Sequence, residues 1–185
     1  LLSAFTWQID VAIDQPFQPE LSAALPSGEA WLESVVARAV VAALPSQAAG
    51  QVSLLVTGDA TVRELNRQFR GLDEVTDVLS FSNTHPGHWE GEAEPPQDRY
   101  LKPGEADPFP FPWPAGEPSP LGEVVLSYPQ AQRQAQERGE PVAREVARLI
   151  IHGVLHLVGH DHLEPEETSR MRALEEQALA AVFQQ

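Results

Sequence analysis

The stretch PVAREVARLIIHGVLHLVGHDH, Pro141 to His162, joins a helical apolar pattern to four of the chain's six histidines. Val142, Val146, Leu149, Ile150, Val154 and Leu157 recur at helical spacing, and Pro141 suits the first turn. His152 and His156 are four apart, so they share one helical face a turn apart and can hold one metal ion. Gly159 tolerates the left-handed conformation that ends a helix, after which the chain can return His162 to the same ion. Three neutral imidazoles leave a tetrahedral zinc with one open position, the catalytic pattern. His152, His156 and His162 are therefore the expected ligands of one zinc ion per chain. His160 points elsewhere if His162 ligates. Asp161 suits either an orienting partner of a ligand or a solvated cap.

The spacing His152, His156, Gly159, His162 is also that of metzincin peptidases. Those enzymes place a glutamate directly after the first histidine as general base. Here that position is Gly153, which disfavours a peptidase of that kind.

Outward from this helix, strands alternate with helices. Trp7 to Asp14 reads as a half-buried strand with Ile9, Val11 and Ile13 on one face. Glu29 to Leu44 has a helical apolar stripe made by Leu32, Val35, Val36, Ala39, Val40 and Ala43. Gln51 to Thr57 and Thr76 to Ser82 read as strands. Between them Thr61 and Glu64 form a candidate capping box for a helix over about Val62 to Phe69, ended by Gly71. Leu121 to Ser127 is a further strand, Pro129 to Gly139 a short polar helix, and Pro165 to Val182 a last helix. The pattern predicts an α/β (α+β) single domain over residues 1–185: a mixed β-sheet covered by helices, with a zincin-like three-histidine metal helix.

One stretch breaks the pattern. Thr84 to Pro120 holds ten of the seventeen prolines and few aliphatic residues. Proline lacks a backbone donor, so this stretch is expected to be a loop insertion outside the sheet interior. Its aromatics, Trp89, Tyr100, Phe109, Phe111 and Trp113, are candidates to pin it to the surface. His85 and His88 are most simply solvated there.

Composition narrows the chemistry. The chain has 185 residues, is 42 % hydrophobic and has no cysteine. Disulfides and thiolate metal sites are excluded, and the composition suits a reducing cytosol. No apolar run reaches the ~20 residues a membrane span needs. The start LLSAFTWQID lacks the features of a signal peptide, and it lacks an initiator Met. The net charge of -15 argues against a broad nucleic-acid footprint and leaves room only for a local basic cleft. Arg63, Arg67 and Arg70 lie on one stripe of their helix and are the best candidates for such a surface. For Arg63 and Arg67 a solvated face is the usual explanation. Arg70 stands at the helix end, where a guanidinium can reach into a cleft and grip a phosphate.

LNRQFRGLDEVTDVLSF (Leu65 to Phe81), LGEVVLS (Leu121 to Ser127) and HGVLHLVGHDH (His152 to His162) follow one another in that order. Together they resemble the YbeY family of bacterial rRNA-maturation endoribonucleases, from about Val52 to Leu179 apart from the insertion. The resemblance implies a metal-dependent hydrolase acting on single-stranded RNA in the cytoplasm. It implies 16S rRNA precursor as substrate, the small ribosomal subunit as partner, 3′-end maturation and ribosome quality control, with no membrane and no DNA partner. The family's zinc ligands match His152, His156 and His162, and its essential arginine matches Arg70. The chain departs from the family where His160 stands for Tyr, Val75 and Ser82 for Pro, and Glu123 for Asp. Two other readings stand beside it: a zinc-dependent peptidase-like hydrolase with an unrecognised base, and a non-catalytic zinc-stabilised ribosome-assembly factor.

Overall fold

A computed structural model describes residues 6–46, 49–85, 90–92, 118–160 and 164–184. Strands β1 (Thr6–Ile13), β2 (Ala49–Thr57), β3 (Val78–Ser82) and β4 (Pro120–Ser127) form one sheet in the order β1-β2-β4-β3. β1 and β4 both run parallel to β2, while β3 is antiparallel to β4 and forms an edge. The sheet is mixed, as the sequence predicts. Helices are α1 (Gln18–Ala24), α2 (Glu29–Ala43), α3 (Asp59–Arg70), α4 (Tyr128–Arg138), α5 (Val142–Leu157) and α6 (Pro165–Phe183).

Alternation along the strands assigns the two faces. Val52, Leu54, Val124 and Leu126 point into the main core with Leu32, Val35, Val36, Ile150 and Val154 of α2 and α5. The intervening Leu55, Val125 and Leu79 point the other way and meet Val62 and Leu65 of α3. So α5 and α3 cover opposite faces of the sheet, as the period of two requires. The apolar stripe foreseen on α2 is buried from Leu32 to Val40, and α1, which the sequence reading left unassigned, adds the fully buried Leu21.

Boundaries differ in three informative places. α3 begins at Asp59 with Gly58 as its cap, so Thr61 lies inside the helix and the capping box does not form. Pro141 is the cap of α5 rather than its first turn. Pro120, counted with the insertion, is the first residue of β4 and pairs with Gln51; a strand's first position is one of the few that tolerates a missing donor. The five aromatics of the insertion, with His88, lie outside the described residues. No helix among the described residues is long and apolar enough to cross a membrane.

Candidate metal centre

The main core fixes the direction of the histidines. Ile150, Ile151, Val154, Leu155 and Leu157 are buried, which leaves His152 and His156 on the one partly exposed stripe of α5. Their Nε2 atoms converge to 3.0 Å, and their rings stand edge to face with centroids 4.6 Å apart. His152 Nδ1 lies 2.6 Å from Glu175 Oε1 of α6. A carboxylate only accepts, so Nδ1 carries the proton and Nε2 keeps its lone pair for the face shared with His156.

α5 then stops as the glycine predicts. Gly159 takes φ 86°, its N–H donates to the His156 carbonyl at 3.1 Å, and the His160 N–H donates to the Leu155 carbonyl at 3.1 Å. This double closure satisfies the helix's last carbonyls and reverses the chain. His162 and Asp161 lie outside the described residues. Among the described residues no group of three or more His, Cys, Asp or Glu forms a metal cluster. The pair itself fits zinc: two imidazole nitrogens on one side, one of them oriented by a carboxylate.

Gly153 has a packing cause. A Cβ there would fall 2.7 Å from Val124 Cγ1 and 3.2 Å from Ser80 Oγ, and its carbonyl already accepts from Ser80 Oγ at 2.9 Å. This position faces the sheet, so no side-chain base can stand there.

The family model described as Endoribonuclease YbeY matches residues 20–182. The chain belongs to the YbeY endoribonuclease family. The Endoribonuclease YbeY of Paramagnetospirillum magneticum is 33 % identical over 96 % of this chain and 94 % of its own length. That of Moorella thermoacetica is 39 % identical over 85 % of this chain and 90 % of its own length. A solution structure from Thermotoga maritima shares the fold with TM-score 0.51 and 21 % identity, covering 96 % of this chain and 90 % of that one.

Ser82, read above as a departure from what the resemblance implies, makes several bonds in the structure. Its hydroxyl donates to the Leu157 carbonyl at 2.7 Å and accepts from the Thr84 and His85 N–H groups at 3.2 and 3.1 Å. Ser82 thus ties the end of β3 to the end of α5. It also carries His85 to the turn, where a Cβ on Gly159 would lie 2.3 Å from His85 Nε2. His85 is exposed, as expected, but it is packed on this turn rather than simply solvated. Burial, with Arg170 and His85 nearby, holds the neighbouring His160 imidazole below its ordinary pKa.

The arginine stripe does not form a bare basic surface. Arg63 makes a two-pronged pair with Asp73 at 2.8 and 3.1 Å, and Arg67 another with Glu64 at 3.0 and 2.6 Å. Arg70 bonds the Glu90 carboxylate, and its carbonyl accepts from the N–H groups of Glu90 and Gly91 at 2.9 and 3.0 Å. Each cation has acquired an anion: Arg67 pairs with Glu64 one turn away on the same helix, whereas Asp73 and Glu90 reach Arg63 and Arg70 from the chain beyond α3. The stripe also sits with α3 across the sheet from the histidines. Ser80 and Ser82 of edge strand β3 face α5, while Leu79 and Phe81 face α3. Arg70 and the histidine pair are therefore separated by the β3 edge. Glu175, Ser82 and His85 are the site residues that sequence reading missed. Helical contact between α5 and α6 is tertiary, and only the position of Glu175 on an otherwise ordinary polar face of α6 could have hinted at it.

Proposed function

We propose that this chain is a metal-dependent, single-strand-specific endoribonuclease with a three-histidine zinc site. The observation that carries the reading is the convergence of His152 and His156 Nε2 at 3.0 Å in a YbeY-family chain. His162 completes the ligand set in this reading. Zinc held there supplies Lewis acidity towards a phosphoryl oxygen or a water. Glu175 keeps the proton on His152 Nδ1, away from the coordinating nitrogen. Arg70 grips a phosphate of the strand as it crosses the β3 edge and steadies charge at that phosphate, with Glu90 leaving to admit it. Arg63 and Arg67 contribute only weakly, since their own acids hold them. The family resemblance supports 16S rRNA precursor as substrate, 3′-end maturation and ribosome quality control with the small subunit, and the cytoplasm as the site of action. Attack by the RNA's own 2′-OH fits a nuclease without an evident protein base and spares DNA.

The test pairs metal analysis with cleavage of single-stranded RNA by wild type, His156→Ala and Arg70→Ala. Wild type should hold one zinc and cleave RNA, leaving 2′,3′-cyclic phosphate ends. His156→Ala should lose both properties. Arg70→Ala should keep zinc and cleave about 10²-fold more slowly. Zinc bound without cleavage, and a domain that unfolds on chelation, would point to the assembly-factor reading instead.

A further inference from the structure

Among the described residues, α3 covers only half of the sheet face on which it packs. One row across the sheet, Ala12, Leu55, Val125 and Leu79, lies in register, and α3 packs over its last three members. The next row is Asp10, Ser53, Glu123 and Phe81. α3 stops short of it except at Phe81, whose ring meets Phe69 edge-on with centroids 5.1 Å apart. A pocket of about 280 Å³ opens on this second row, lined by Gln51, Ser53, Phe81, Asn83 and Glu123. That is just under the ~300 Å³ lower limit of ordinary small-molecule sites, so it suits one planar ring system rather than a larger ligand.

The Gln51 amide nitrogen donates to Asp10 Oδ2 at 2.8 Å, and the Asn83 amide nitrogen to the carbonyl of Pro120, which also lines the pocket, at 3.3 Å. Neither amide oxygen accepts a hydrogen bond among the described residues. Glu123, opposite Phe81 on the neighbouring strand, is exposed and has no partner among the described residues. Among the described residues no Lys or Arg lines the space. The Glu123 carboxylate matches a flat ligand edged with N–H donors, with Phe81 as its aromatic wall. Phe69, whose ring meets Phe81, directly precedes Arg70 at the end of α3.

We propose that the pocket is a base-reading subsite that takes guanine, whose adjacent N1–H and N2–H₂ donors match the two oxygens of Glu123. Aromatic stacking holds the ring, and the carboxylate selects the edge. This rests on the endoribonuclease reading for its substrate class, not for the pocket's chemistry.

The full chain as purified, titrated separately with GMP, AMP, CMP and UMP and followed by amide chemical shifts, tests the chemistry directly. GMP should bind about tenfold more tightly than UMP, shifting the amides of Ser53, Phe81 and Glu123. Glu123→Gln, at an exposed position, should erase the difference and leave UMP unchanged. Four equal affinities, or a guanine preference that survives Glu123→Gln, would overturn the proposal. So would a pocket that takes L-arginine amide before any nucleotide, which would mark it as a socket for a protein's arginine. Cleavage of oligoribonucleotides carrying a single guanosine separates this proposal from the one it rests on. RNA cut without regard to guanosine refutes the subsite and keeps the nuclease. Glu123-dependent GMP binding without any RNA cleavage refutes the nuclease and keeps the subsite.

Discussion

Glu175 Oε1 stands 2.6 Å from His152 Nδ1, so α6 orients a ring that α5 presents. Removing the carboxylate frees the imidazole to rotate and to change tautomer. Glu175→Ala should weaken zinc binding by about 10- to 100-fold, measured by competition with a chromophoric chelator. Unchanged affinity would mean that packing alone orients His152.

Gly153 sits where α5 touches the sheet. Alanine is the better helix former by ~1 kcal/mol, yet its Cβ would lie 2.7 Å from Val124 Cγ1. Crowding should win, and Gly153→Ala should lose ~1–3 kcal/mol in urea unfolding. A variant as stable as wild type would show that Val124 can yield.

α3 offers a pH test. Hydrogen bonds from Arg67 and then Gln68 bring the Glu64 carboxyl down from 4.5 to about 2. A carboxyl with a lowered folded pKa contributes stability above its unfolded value and loses it as pH falls through the folded one. The stability gap between wild type and Glu64→Gln should thus be full above pH 4.5 and close on acidification towards pH 2. Because the pair is exposed, the gap should be small and shrink further in salt. A gap that widens on acidification would contradict the pairing.

Glu145 is fully buried in the first turn of α5 and accepts from Arg138 Nη1 at 2.7 and 2.8 Å, with Arg148 bonded to the same carboxylate. Replacing both arginines by alanine strands a charge in the core. Chemical denaturation should show a loss of ~3–5 kcal/mol, and adding Glu145→Leu should recover most of it. Failure of the leucine to rescue would place the loss in the arginine stems rather than in the carboxylate.

Much of the architecture was readable because it follows from periodicity. The α2 stripe, the alternation of Ile9, Val11 and Ile13, and the glycine stops at Gly71, Gly139 and Gly159 are local patterns that one burial direction or one positive φ dictates. The capping box at Thr61 was misread because the same residues suit a helix interior, and Asp59 continues the helix one turn further back. α1 escapes the sequence reading because seven residues, about two turns, with Leu21 as the one large apolar side chain carry almost no period.

The candidate site divides the same way. Spacing four along a helix was enough to put His152 and His156 on one face, since the α-helix leaves no other arrangement. What spacing could not say is why position 153 is glycine, which partner turns His152, or what holds Arg70. Those answers depend on Val124, Glu175 and Glu90, residues 20 to 29 positions away in the chain, brought near only when the sheet and helices pack. Charge shows the same limit: composition counts the arginines, but only the fold decides that Arg63 and Arg70 of the α3 stripe meet Asp73 and Glu90, because opposite charges at a surface pair with whatever the backbone carries within reach.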